Sequence, residues 1–367
     1  MKWKWLFSLV IAWQVNADNL QVTFVVPDGT GPLFWNLVAD VSRSVADDLD
    51  VDIEVTYSAS NRFDSKLVIE KISQRKIKPD YIIFRPFHGN AVKVFDLLES
   101  EKIPFVTLEQ AFSGEEEKEI GSPQQKYKYW LGQINYDNEA GGELLTIALH
   151  KQHQKIWPNQ TMSVIGIGGD FDAVSKSRQV YLEGLYKGKQ EIVVNQIVPM
   201  YWSPVNIARS LRGLHKRYPN TTVYWCAGDQ MALEVIRQLH LLLPNQNKRI
   251  LVGGFDWLPQ ALKKIKSGDM TASVGGHFLM AGAALLKIVD HHNGINSFLN
   301  NPKPELFELI DNENVDIYLP FLNKAPWPEI DFGQFAHSKR KVATVRKLTV
   351  ANLLQAYEQI LTKPKKN

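Results

Sequence analysis

Residues 21–29 read Gln-Val-Thr-Phe-Val-Val-Pro-Asp-Gly, and this stretch opens the pattern that decides the fold. Gln21 to Val26 is a run rich in β-branched and aromatic side chains, which fit a pleated, covered surface. Pro27 ends it, because proline has no N–H to give to a strand ladder, and Asp28-Gly29 favour a turn. From Leu33 to Leu49 apolar residues return at helical spacing. The alternation then repeats. Val51 to Tyr57 reads as a strand, Lys66 to Arg75 as a helix, Tyr81 to Phe84 as a short apolar strand, Ala91 to Ser100 as a helix and Pro104 to Leu108 as a buried strand. Continuous apolar runs alternating with helices predict a parallel sheet covered on both faces.

The rhythm restarts after a break near Gln133 to Asp137. Helices are expected at Asn138–His150, Val174–Tyr186, Pro204–His215, Gln230–Leu243, Gln260–Ile265 and Gly282–His291. Between them lie strands at Ser163–Ile167, Ile192–Val198, Thr222–Cys226, Ile250–Gly253 and Thr271–Val274. Two such sets predict an α/β protein of two doubly wound parallel-sheet lobes, each of about 120–150 residues. After Pro302 the rhythm is lost. Pro302, Pro304, Pro320, Pro326 and Pro328 break the chain, Ser338 to Lys347 is basic, and Thr349 to Leu361 reads as an amphipathic helix. This last segment is read either as a strap across the lobes or as an added docking surface.

The bulk numbers bound the possibilities. The chain has 367 residues, 44% of them apolar, which is enough to bury two cores. Its formal charge of +3 is too small to imply a nucleic-acid partner. Lys2 and Lys4 precede an apolar run from Trp5 to Trp13, followed by Val15-Asn16-Ala17. That is the layout of a secretory signal, with cleavage expected after Ala17 and the mature chain starting at Asp18. No later apolar run has the length to span a bilayer, so the protein is not expected to be membrane-embedded. The one cysteine, Cys226, cannot form an internal disulfide. Export without disulfides predicts the periplasm.

In doubly wound sheets, ligands sit beyond the carboxyl ends of the strands. Those ends here carry polar or aromatic residues: Asp28, Glu109, Asp170, Trp202, Asp229 and Asp256. Phe34-Trp35 opens the first helix, and such rings can cover the C–H face of a pyranose while its hydroxyls reach polar partners.

These residues resemble the sugar-binding branch of the type I periplasmic binding proteins, the ribose-binding protein family. Phe34-Trp35 is similar to that family's NPFF corner, and Ile103-Pro104-Phe105-Val106-Thr107-Leu108 to its IPVITLD strand. Asp137-Asn138-Glu139-Ala140-Gly141-Gly142, Gly228-Asp229-Gln230-Met231-Ala232-Leu233 and Gly253-Gly254-Phe255-Asp256 resemble its DN…GG, NDEMALG and VGFD segments. The resemblance implies a clamshell with three crossovers. It places residues 18–134 and 277–310 in the first lobe, 135–276 and part of 311–330 in the second, and 331–367 in an extension. It also implies ligand roles. Phe34, Trp35 and Trp202 match stacking aromatics. Asp256, after Phe255, matches a carboxylate that accepts sugar hydroxyls, and Asp229 follows the family's asparagine position. Asp28 and Thr30 belong to the same first corner. The chain departs from the pattern at Glu109-Gln110, where the family has an Asp-Arg pair, so a cationic fork is missing there. The family's helix arginine aligns with Tyr181, and Arg178, one turn earlier, is the substitute. Its final glutamine aligns near Gly276, with His277 beside it.

A second likeness, from Val26 to Trp35 and from Tyr129 to Leu144, is to periplasmic autoinducer-2 receptors. The implied partners are therefore a small sugar-like ligand and either an inner-membrane ABC permease or a membrane sensor. A monomer that is not an enzyme is expected. Gly166-Ile167-Gly168-Gly169 lacks the spacing of a dinucleotide loop, no nucleophilic serine elbow is present, and His150-x-x-His153 and His291-His292 have no Cys or carboxylate at ligand spacing. No cofactor or metal is expected.

Overall fold

The structure is a computed structural model that describes residues 19–27, 33–58, 62–109, 112, 114–185, 191–244, 249–298, 303–340 and 345–362. The expected signal segment, Asp28, Thr30 and Gln110 lie outside the described residues.

Among the described residues, β1 (Leu20–Val26), β2 (Val51–Tyr57), β3 (Tyr81–Phe84), β4 (Phe105–Leu108) and β5 (Trp130–Ile134) form one parallel sheet in the order β2-β1-β3-β4-β5. The strands are joined by α1 (Leu33–Asp48), α2 (Arg62–Ser73), α3 (Ala91–Ser100) and α4 (Glu115–Ile120). The second sheet contains β6 (Met162–Gly168), β7 (Ile192–Pro199), β8 (Val223–Cys226), β9 (Leu251–Phe255), β10 (Ala272–Gly275) and β11 (Glu308–Asp311), in the order β11-β10-β9-β8-β6-β7. Its first five strands run parallel, and β11 adds antiparallel to β10. Its helices are α5 (Asn138–Ile156), α6 (Ala173–Gly184), α7 (Pro204–Arg217), α8 (Asp229–Leu242) and α9 (Pro259–Ser267). The two-lobed doubly wound architecture is therefore as read from the sequence. In both sheets the strand order reverses beside the first strand, at β1/β3 and β6/β8, the positions where such sheets open a crevice.

The lobes are joined at several places. The turn at 135–137 leads from β5 into α5, which Asp137 caps by accepting from Ala140 N at 3.0 Å. Beside it runs the segment at Glu305: Glu305 N donates to Asn135 O and Asp137 N to Glu305 O, both at 2.8 Å. After β10 the chain returns to the first lobe as α10 (Met280–His292), which packs on α1 and behind β3, β4 and β5. Among the described residues no helix is long and apolar enough to cross a membrane.

Two local expectations need correction. The expected break near Gln133 to Asp137 begins inside β5, whose apolar run is interrupted by Gly132 and Gln133. Gly132 is where the Phe298 ring packs, 2.6 Å from where a Cβ would sit, so the apolar contact comes from a distant ring. Pro320 was also expected to break the chain, yet it lies inside α11 (Val315–Lys324). There a proline forfeits one backbone bond, and the burial of Phe321 and Leu322 holds the helix together around it.

The C-terminal segment packs on both lobes. α11 lies on α9 of the second lobe, while 3₁₀ turns at Trp327–Glu329 and Phe332–Phe335 cover α1 of the first. Asp48, at the end of α1, accepts from Phe332 N at 2.6 Å, and Asp290 of α10 accepts from Ser338 N at 2.8 Å. The final helix, α12 (Val350–Thr362), returns to α11, where Lys324 Nζ donates to the Tyr357 hydroxyl at 2.6 Å.

Candidate ligand-binding site

The carboxyl ends of both sheets converge on one buried cluster of charges. Arg178, on the second turn of α6, is its hub. Its Nε donates to Asn138 Oδ1 at 2.9 Å and its Nη1 to the Ala227 carbonyl at 2.7 Å. Its guanidinium also lies 3.8 Å from Asp256 and 4.0 Å from Glu109 of the first lobe. His277 Nε2 is 3.3 Å from Arg178 Nη2 and 3.4 Å from Asp256 Oδ1. Phe255 lies under the guanidinium, with its ring centroid 4.5 Å from Cζ. Phe34 stacks on His277 at 4.3 Å, and Trp35 meets Phe34 edge to face at 5.2 Å. Trp202 packs on Gly169, where any side chain would collide with the indole.

The structure thus brings Phe34, Trp35, Glu109, Arg178, Trp202, Phe255, Asp256 and His277 together. Asp229 has a different setting. It is fully buried, and its carboxylate accepts from Ser273 Oγ at 2.9 Å and from Leu258 N at 2.9 Å. These bonds anchor the loop that carries Asp256 and occupy both Asp229 oxygens. Burial first, and then the Asp256 charge, push the Asp229 carboxyl well above the ordinary carboxylate range.

Two residues were not singled out from the sequence. Arg85 directly follows β3, and its Nε donates to Glu109 Oε2 at 2.7 Å while its Nη2 pairs with Asp172 of the second lobe. Arg85 therefore supplies a cation beside Glu109 from the neighbouring strand end. The sequence signal was there: Arg85 is the charged residue between the apolar Tyr-Ile-Ile-Phe strand and Pro86. Burial alone would depress its guanidinium, but Asp172 and Glu109 more than offset that and hold it above its usual value. Asp172 also caps α6 by accepting from Ser175 N at 2.8 Å. Burial pushes its carboxyl up, yet Arg85 and the Ser175 bond prevail and keep it below the ordinary range. In Asp172→Asn the cap survives, because Asn caps as well as Asp, while the tie between the lobes loses its charge. We expect small-angle scattering to show a more open ligand-free molecule, and ligand affinity to fall about tenfold, or ~1.4 kcal/mol. Unchanged scattering and affinity would show that this pair does not hold the lobes together.

Part of the backbone strain lies at the same place. Glu109, Trp202, Asp256 and Trp257 have positive φ, between 55° and 110°. Each costs on the order of 1–3 kcal/mol, and such residues persist where surrounding structure over-determines them, commonly at binding sites.

His277 is buried and its Nδ1 finds no partner among the described residues. Burial lowers its imidazole below the usual 6.5, with the Asp256 bond resisting. A histidine kept neutral in the folded state takes up its proton more readily when unfolded. Stability should therefore fall as pH drops through the ordinary imidazole value. Urea midpoints at pH 7.5 and 5.5 should differ in that direction, and by less in His277→Asn. An identical difference in the variant would remove His277 as a cause.

Residues 22–294 match the periplasmic binding protein domain, and the chain belongs to that family. It is similar to the D-allose-binding periplasmic protein of Escherichia coli, 27% identical over 129 residues. That alignment spans 35% of this chain and 40% of that protein, so less than half of the relative's length is matched. The fold is similar to that of a periplasmic sugar-binding protein from Pseudomonas fluorescens, with a TM-score of 0.79 and 20% identity over 92% of this chain and 99% of that one. It is also similar to an ABC transporter solute binding protein from Actinobacillus succinogenes 130z with bound D-allose, with a TM-score of 0.67 and 16% identity over 81% and 99% of the two chains.

Proposed function

We propose that the protein is an exported, non-enzymatic binding protein that closes its two lobes around a neutral, sugar-like solute and presents it to an ABC importer. The observation that carries this reading is the charge of the buried cluster. Among the described residues Arg85 and Arg178 face three carboxylates, Glu109, Asp172 and Asp256, so no surplus positive charge awaits a phosphate or an acid. What such a cluster offers is hydrogen bonding: carboxylates that accept two hydroxyls side by side, and guanidinium N–H groups that donate. The half-buried rings of Trp35 and Trp202 add faces for the C–H side of a sugar. The relatives point the same way, since the Escherichia coli protein and the Actinobacillus succinogenes structure named above bind D-allose and a Caulobacter protein of this fold binds myo-inositol.

In this reading the ligand contacts both lobes and so favours the closed state. A membrane sensor as the partner drew on the C-terminal segment as a docking surface, and the packing of that segment on α1, α9 and α10 favours the strap instead. Calorimetric titration of the mature chain against neutral pentoses, hexoses and inositols, beside their phosphates and uronic acids, tests the proposal. We expect a neutral member to bind. Binding only by the anionic members, or by none, would overturn it.

A further inference from the structure

Two exposed aromatic rings stand side by side at the rim of the second lobe, outside the cluster described above. Phe171 lies in the turn between β6 and α6, and Tyr201 in the turn between β7 and α7. They are 61% and 56% exposed, and their rings meet edge to face at 5.8 Å and 78°. The pair is held rigidly. The two turns are hydrogen-bonded to each other, with Met200 N donating to Gly168 O at 3.0 Å and Tyr201 N to Gly169 O at 2.9 Å. Tyr201 and Trp202 are consecutive left-handed residues, with φ of 55° and 56°, a conformation that bulky side chains adopt only under constraint. That pair of residues sends Trp202 against Gly169 and leaves Tyr201 in solvent.

The position matters as much as the exposure. Asp172, next to Phe171, reaches across to Arg85 of the first lobe, so Phe171 stands at the seam where the lobes meet. Any ligand longer than one ring has to leave a closed cleft along such a seam. Aromatic side chains in water offer the apolar face that the C–H side of a sugar ring covers. Asp170, beside Phe171 and half-buried, adds a carboxyl group for ring hydroxyls.

We propose that Phe171 and Tyr201 form an outer subsite for the second ring of a disaccharide-sized ligand whose first ring occupies the cleft. This rests on the sugar-binding reading above, and the test separates the two. The mature chain is titrated with D-glucose, D-galactose, D-allose and L-arabinose and with disaccharides that carry each of them at the non-reducing or reducing end. The expected result is that at least one disaccharide binds tenfold or more tightly than its own monosaccharide. That advantage should vanish in Phe171→Ala/Tyr201→Ala, with monosaccharide affinity kept within twofold. Phe171→Ala alone leaves the left-handed backbone at Tyr201 untouched and should remove most of the gain. If monosaccharides bind and no disaccharide gains, or if the gain survives in both variants, the subsite is overturned. If no sugar of either size binds, the sugar reading falls and the subsite falls with it.

Discussion

Arg178→Ala is expected to lower the unfolding free energy by about 3–5 kcal/mol, the cost of removing one member of a buried charge network. The loss has several sources. Asn138 Oδ1 and the Ala227 carbonyl would lose their donor. Asp256 and Glu109, both nearly buried, would lose a neighbouring cation. The face of Phe255 would lose the group that covers it. Urea denaturation monitored by tryptophan fluorescence measures this directly. Arg178→Met separates charge from volume. It fills the same space, so it should recover part of the stability, because buried ion pairs are often replaceable by packed apolar groups. It should not recover ligand binding. A loss below about 1 kcal/mol in Arg178→Ala would mean that the network is not coupled as its distances imply.

Asp256→Ala is expected to weaken the ligand by roughly 2–4 kcal/mol, the scale of lost charge-assisted hydrogen bonds plus the cost of partners left unpaired. The carboxylate sits where Arg178 and His277 both approach it, with its side chain only 13% exposed. Its φ of 110° sets it apart from an ordinary loop residue. The variant should also relieve Asp229, whose carboxyl is pushed up by burial first and by the Asp256 charge second. Asp256→Asn keeps the shape and one acceptor, so it should lose less. Equal affinities in the parent, Asp256→Ala and Asp256→Asn would take this residue out of the site.

The fold was legible because its signals are local. Apolar runs such as Tyr81–Phe84 and Val223–Cys226 have no polar interruption, and the helices between them repeat at a clear period. Where tertiary contacts decide, the reading failed. β5 depends on Phe298, a ring more than 160 residues away, and α11 survives its proline through contacts that no local window contains. The site was legible in part for the same reason. Strand-end carboxylates and the aromatic corner stand out in the sequence. The pairing of Arg85 with Glu109 and Asp172 joins three separate strand ends, and only folding brings them together. Asp229 shows the reverse: a carboxylate at a strand end looks the same in sequence whether it meets a ligand or braces the loop next door.

The cover over α1 sets an order of events during synthesis. The helix spans Leu33–Asp48, yet the turns that shield it, at Trp327–Glu329 and Phe332–Phe335, come after both sheets in the chain. Until they emerge, the first-made lobe keeps an apolar flank open to water, and α10, which also lies on α1, is late as well. Domains completed early can lock before the rest of the chain arrives. Here the first lobe is completed by residues that follow the second, so the α1 flank is covered only after both sheets have been made.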